Sequence, residues 1–217
     1  VAGLHGLRAT FMPKPFWGLN GSGAHTHIKL SARDGCGGNG ALGPLELHGL
    51  AGVLKRARAL AAVAAPTVNS YKRLVPHHEA PTRLAWGYAN RSALIRVPRY
   101  GGAPRIEVRE PDPLMNPYLT LVALLSSIAE GVEGGLEPPE PASAAAYELE
   151  GLEEVPPNLD AALAEFEGAH SSLGIPSELA SAYVRLKRAE WRSYIEACGP
   201  WEETWNRITE WEYQRYL

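Results

Sequence analysis

Ala93-Leu94-Ile95-Arg96-Val97 and Arg105-Ile106-Glu107-Val108-Arg109-Glu110, linked through Tyr100-Gly101-Gly102, are the residues from which the architecture is read. Both runs are rich in branched apolar side chains, and a glycine pair between them reverses the chain, so an antiparallel hairpin is predicted. Successive side chains of a strand point to opposite faces. Arg105, Glu107 and Arg109 therefore share one face, with Ile106 and Val108 packed behind.

Upstream, His25 to Leu30 alternates polar and apolar residues and reads as a strand, as does Leu4 to Met12. Gly18 to Gly23 is a glycine-rich loop, and Arg33 to Gly43 a glycine-rich excursion. Leu47, Leu50, Leu54, Ala57 and Ala61 recur at three and four residue steps, which predicts an amphipathic helix ending before Pro66. A proline-rich loop follows to Pro81. Downstream, Asn116 caps a helix with Pro117 at its first position and Gly131 near its end. Pro138 to Pro141 breaks the chain. Ser177 opens a helix with Leu179, Tyr183 and Leu186 on one face, and Pro200 opens another with a Trp201, Trp205, Ile208 and Trp211 stripe. Four of the six tryptophans fall between positions 191 and 211. Such a stripe packs a core or a subunit contact. The hairpin and short connections predict an α+β fold, an antiparallel sheet backed by helices. Residues 1–135 carry the sheet and its loops, and 136–217 form a mostly helical segment.

The 217 residues carry a net charge of -3, which speaks against nucleic acid or an anionic membrane chosen by bulk charge. The longest apolar run, Tyr118 to Ile128, is too short to span a bilayer. Two cysteines, Cys36 and Cys198, match no metal spacing and make no disulfide framework, so a reducing cytoplasm is expected. The chain opens on Val1 without an initiator Met, which suggests part of a longer protein.

The chemistry lies in three clusters. His25 and His27, two apart on a strand, point to one face, where one imidazole could bind a divalent metal while the other donates to an anion. Glu107 stands between Arg105 and Arg109, and Arg73, Arg91 and Arg96 lie in neighbouring segments. Guanidinium groups gathered round a carboxylate suit an anionic, carboxylate or phosphoryl ligand. A solvated ion-pair ladder is the plainer alternative. Asn20-Gly21-Ser22-Gly23 offers main-chain N–H groups at close approach but lacks the lysine and spacing of a P-loop. Together these read as a metal-assisted site for a nucleotide and a carboxylate substrate.

Ala9-Thr10-Phe11-Met12-Pro13-Lys14-Pro15 with Asn20-Gly21-Ser22-Gly23-Ala24-His25-Thr26-His27 resembles the nucleotide-site motif of glutamine synthetases. Val68-Asn69-Ser70-Tyr71-Lys72-Arg73-Leu74-Val75-Pro76 with Glu79-Ala80-Pro81 is similar to the family's glutamate loop. Asn90-Arg91-Ser92-Ala93-Leu94-Ile95-Arg96-Val97-Pro98 and Arg105 to Arg109 resemble its arginine-bearing strands. Pro111-Asp112-Pro113 with Asn116-Pro117-Tyr118-Leu119 completes the series in family order. Glu137-Pro138-Pro139-Glu140-Pro141 and Trp211-Glu212-Tyr213 to Tyr216 look like type I bacterial and archaeal members.

The resemblance implies a curved antiparallel sheet backed by helices, and ATP-dependent joining of L-glutamate and ammonia through γ-glutamyl phosphate, with Mg2+ or Mn2+. It implies that His25 and Glu107 hold a metal, and that Asn20, Gly21 and Arg73 contact glutamate. It places His27, Arg96 and Arg105 on ATP, with Lys29 where the family usually has Ser on the nucleotide side. Arg91 and Arg109 match the groups that hold the transferring phosphoryl and the γ-carboxylate, and Glu79 the carboxylate that closes the site and takes a proton from ammonium. His77 and His78 replace the usual glycine and tyrosine, and Glu110 stands where an apolar residue is usual. Family members form cytoplasmic homo-dodecamers and carry, ahead of these motifs, a further domain and two more pairs of metal-binding glutamates. The chain alone is therefore expected to lack significant ligase activity. A γ-glutamyl-polyamine ligase of the same superfamily, and an assembly module without chemistry, are the alternatives.

Overall fold

The computed structural model describes residues 1–30, 42–99 and 105–217. Most of the Arg33 to Gly43 excursion, with Cys36, and the Tyr100-Gly101-Gly102 turn lie outside the described residues.

Four short strands, β1 (Thr26–Ile28), β2 (Trp86–Tyr88), β3 (Ile95–Val97) and β4 (Ile106–Val108), form one sheet in the order β1-β4-β3-β2. β3 and β4 pair antiparallel with Arg96 opposite Glu107, as the hairpin reading requires. β1 adds antiparallel to the other edge of β4 with His27 opposite Glu107. The sheet departs from the expected all-antiparallel pattern at β2, which pairs parallel to β3 with Gly87 opposite Arg96. Trp86-Gly87-Tyr88 is too short and too glycine-broken to show alternation.

Behind the sheet lies α1 (Pro44–Ala64), the helix read from the leucine spacing, and α3 (Pro117–Glu133) crosses it. Asn116 Oδ1 caps α3 by accepting from the N–H groups of Tyr118 and Leu119 at 3.0 and 3.3 Å. Gly131 acts as a contact residue as well as a chain-end signal: a Cβ on it would overlap His48 O, and one on Gly52 would overlap Ser127 O. The two backbones touch where both side chains are absent. Leu50, Val53 and Leu60 of α1, Leu124 of α3, and Ile95, Ile106 and Val108 of the sheet share one core with Leu163 and Phe166 of α4 (Leu159–Ala169).

Several elements differ from expectation. Leu4 to Met12 forms no strand, and only a 3-10 turn at Ala2–His5 stands near it, because among the described residues no strand pairs with it. The proline-rich loop contains α2 (Val68–Arg73), all six of whose residues are buried. Val68-Asn69-Ser70-Tyr71-Lys72-Arg73 buries mostly polar side chains, so no apolar stripe marks a helical period. α5 (Ser177–Cys198) is turned relative to the expected face: Ala180, Val184 and Tyr194 are buried, while Leu179 and Leu186 are 46% and 62% exposed. The tryptophan stripe spans two helices, α6 (Trp201–Thr204) and α7 (Glu210–Tyr216), because Thr209 and Glu212 make a capping box that starts a new helix. Trp191, Trp201 and Trp211 pack round Tyr194, whereas Trp205 meets Trp17 edge-on with ring centres 5.6 Å apart.

Candidate functional site

β4 is buried on both faces, so Glu107 enters the sheet's functional side with only 2% of its side chain exposed. A buried carboxylate needs compensation, and here three groups supply it. Arg109 Nη1 donates to Glu107 Oε1 at 2.6 Å, and Arg96 Nη1 on the neighbouring strand donates to Oε2 at 2.6 Å. His25 Nδ1 lies 3.1 Å from Oε1. Burial works to raise the Glu107 carboxyl, but the Arg96 and Arg109 guanidinium groups outweigh it and hold the group below the usual carboxylate range. Burial, then the charges of Arg109 and Arg73, push His25 down to about 4. At neutral pH the pair is thus an ionised carboxylate beside an uncharged imidazole, the protonation states a divalent cation requires of its ligands.

The alternation along β1 holds. His25, His27 and Lys29 are the more exposed residues of their run, with Thr26 and Ile28 turned inward. His27 Nδ1 accepts from Arg105 Nε at 3.3 Å.

The glycine loop is seated by close contacts. Ser22 N–H donates to Pro13 O at 2.8 Å, and Ala24 N–H to Pro111 O at 2.8 Å. A Cβ on Gly21 would overlap Pro13 O, and one on Gly23 would lie 2.6 Å from His25 Nε2 and 2.7 Å from Arg73 Nη2. Only glycine lets the loop backbone lie against the imidazole and the guanidinium. Arg73 comes from α2 and is buried. Its Nη1 donates to Glu110 O at 2.7 Å and its Nη2 to Arg109 O at 2.8 Å, and each nitrogen still carries a second N–H.

The segment bearing Glu79 is tied to both clusters. Arg109 Nη2 donates to the Glu79 carbonyl at 2.9 Å, and His78 Nδ1 to Asn20 Oδ1 at 3.2 Å. His77, where the resemblance expects glycine, takes φ 67°, and Glu79 takes φ 54°. The Glu79 side chain is 55% exposed and meets Arg91, 65% exposed, at 3.4 Å. The predicted residues thus divide into a buried centre (Glu107, Arg109, Arg73), a half-buried Arg96, and an exposed margin of Asn20, His25, His27, Lys29, Glu79 and Arg91, from which His25 reaches the centre through Glu107. Arg105, flanking the centre, contacts His27.

Sequence reasoning noted the unusual Glu110 but not its burial, and it missed the partner of Lys72. Glu110 is fully buried with neither carboxylate oxygen hydrogen-bonded, so an acid occupies the core position where an apolar side chain is usual. Lys72, next to Arg73, is fully buried against Glu212 at 2.6 Å, a pairing 140 residues apart that no local pattern announces.

Fold and site together define an α+β protein in which arginines from separate segments converge on one buried carboxylate beside a neutral imidazole. Residues 1–206 match the family model described as glutamine synthetase, catalytic domain. Glutamine synthetases of Pyrococcus horikoshii and Methanocaldococcus jannaschii are 45% and 42% identical to the chain over its whole length, covering 52% and 49% of their own. Two solved structures of GmaS, one an ADP complex and one without ligand, superpose with TM-scores of 0.80 and 0.78 at 35% and 37% identity, over 98% of this chain and 50% and 49% of theirs. The chain belongs to the glutamine synthetase family, and it spans about half the length of the relatives it matches.

Proposed function

We propose that this chain contributes the nucleotide, phosphoryl and glutamate side of a cytoplasmic glutamate–ammonia ligase assembled as a homo-dodecamer. The observation that carries the reading is the convergence of Arg96, Arg109 and His25 on Glu107 within 3.1 Å. In this reading a γ-carboxylate oxygen of L-glutamate attacks the terminal phosphorus of ATP and the bond to the ADP oxygen breaks. Ammonia then displaces phosphate from the acyl carbon, and Glu79 accepts the proton that ammonium gives up. The chain's own part is charge neutralisation: phosphoryl transfer needs positioned cations more than covalent help. In this reading Arg91 and Arg109 serve the developing phosphoryl charge, with His27, Arg96, Arg105 and Lys29 on the nucleotide side. Asn20, Gly21 and Arg73 hold glutamate. The Nε atoms of Arg96 and Arg109 are buried without a partner among the described residues, which suits an incoming anion. That GmaS binds ADP agrees with a nucleotide here.

Mg2+ or Mn2+ fits His25 and Glu107, a neutral imidazole and an ionised carboxylate, and would supply further charge neutralisation when bound. Among the described residues no third histidine, cysteine or carboxylate joins them. We accordingly infer that the isolated chain binds metal weakly and makes no significant glutamine. The test is to incubate it with L-glutamate, ammonium, ATP and Mg2+, and to titrate it with ADP and Mg2+ in a calorimeter. ADP binding that Arg96→Ala abolishes, without glutamine formation, is expected. Robust synthesis by the chain alone refutes the incompleteness, and absence of nucleotide binding refutes the assignment. Putrescine in place of ammonium, in the full-length parent, separates the polyamine alternative.

A further inference from the structure

α7 ends the chain, yet two of its side chains reach the segments that support the glycine loop and Arg73. Glu212, fully buried, accepts four hydrogen bonds. Its Oε2 takes Lys72 Nζ at 2.6 Å and the Thr209 main-chain N–H and hydroxyl at 2.8 and 2.9 Å; its Oε1 takes Asn69 Nδ2 at 2.7 Å. Asn69, on the same α2 as Arg73, spends its remaining capacity on one residue: its Oδ1 accepts from Lys14 N–H at 2.7 Å, and its Nδ2 also donates to Lys14 O at 3.0 Å. Lys14 is the middle of Pro13-Lys14-Pro15, the floor of the glycine loop. Its Nζ donates to Leu19 O at 2.5 Å, and Pro13 O accepts from Ser22 N–H. The next residue of α7 repeats the attachment, with Tyr213 hydroxyl donating to Pro15 O at 2.7 Å. On the opposite side Arg215 faces α5, its Nη2 3.7 Å from Glu190 Oε2, away from these segments.

We propose that Glu212 and Tyr213 are positioning residues, fixing the spacing between the Asn20–Gly23 loop and the Arg73 guanidinium, and hence the width of the pocket for an α-amino acid carboxylate. This rests on the assignment of that loop and Arg73 to glutamate. A carboxylate whose four bonds all come from ordered groups holds one geometry, and a displaced clamp loses affinity before the protein loses its fold. Arg215 lies on the same helix but pairs with α5, so it separates positioning from simple stability.

The test uses the full chain and three variants, Glu212→Gln, Tyr213→Phe and Arg215→Ala, reading L-glutamate affinity, ADP–Mg2+ affinity and amide exchange at Lys14 and Ser22. Losing one such bond should weaken L-glutamate about fivefold in Tyr213→Phe. Glu212→Gln should weaken it at least as much, and the Lys14 and Ser22 amides should exchange faster in both. ADP–Mg2+ affinity should hold in all three, and Arg215→Ala should lower the melting temperature with glutamate affinity intact. If Arg215→Ala weakens glutamate as much as Tyr213→Phe, or if Tyr213→Phe alters neither affinity nor exchange, the inference fails. Should Glu212→Gln not fold, Tyr213→Phe decides. If the unsubstituted chain binds no glutamate, the functional assignment is what fails. Exchange at Lys14 and Ser22 then still decides whether α7 sets the loop.

Discussion

Arg109 grips Glu79 by its main chain, not its carboxylate: Nη2 donates to the Glu79 carbonyl at 2.9 Å while Nη1 holds Glu107 at 2.6 Å. One guanidinium thereby links the buried centre to the segment expected to close over it, and Glu79 is held at φ 54°, a conformation that non-glycine residues adopt only when surroundings enforce it.

Arg109→Lys should remove both bonds at once, because an ammonium cannot reproduce the fork. With Glu107 left to Arg96 and the His25 imidazole, the loss of stability should be about 2–4 kcal/mol in chemical denaturation. Proteolytic cleavage between residues 76 and 80 should also become faster than in the unsubstituted chain.

Glu107→Gln should cost metal affinity. The amide keeps the shape but not the charge, so Mn2+ binding followed by electron paramagnetic resonance should fall by about tenfold or more. Unchanged Mn2+ affinity would remove Glu107 from the ligand set.

Glu110 makes stability fall with pH. Burial pushes its carboxyl up from 4.5 to about 8, with Arg73 opposing and Asp112 adding to the rise. The folded chain thus holds the proton more tightly than the unfolded one. Its contribution is fully present below pH 4.5 and is lost as pH rises through about 8. Asp112, pushed up to about 6 by burial against the opposing Ser70 and Arg73, acts with the same sign at lower pH. Glu110→Leu should flatten the upper part of the decline and raise stability at pH 8 by about 1–2 kcal/mol, read from melting curves at several pH values.

Gly131→Ala should destabilise the chain by about 3 kcal/mol, since the new methyl meets His48 O, which is helix backbone and cannot rotate away. Gly168→Ala, where nothing lies within 4 Å, is the control and should be nearly neutral or mildly stabilising.

Much of the site could be read without coordinates. The alternation of Arg105 to Arg109 set Glu107 among arginines on the face opposite Ile106 and Val108, and the spacing of His25 and His27 turned both toward it. Asn116 and Pro117 marked the start of α3, and Thr209 with Glu212 held the capping signal for α7, although the tryptophan period obscured it. These features depend on neighbours within a few residues, where the backbone fixes side-chain direction. Long-range decisions were of another kind. The parallel seat of β2, the buried α2 and the turn of α5 depend on which surfaces meet. So do the protonated Glu110 and the Lys72–Glu212 pair, for burial and partnership across 140 residues are properties of the packed chain and leave no local period to read.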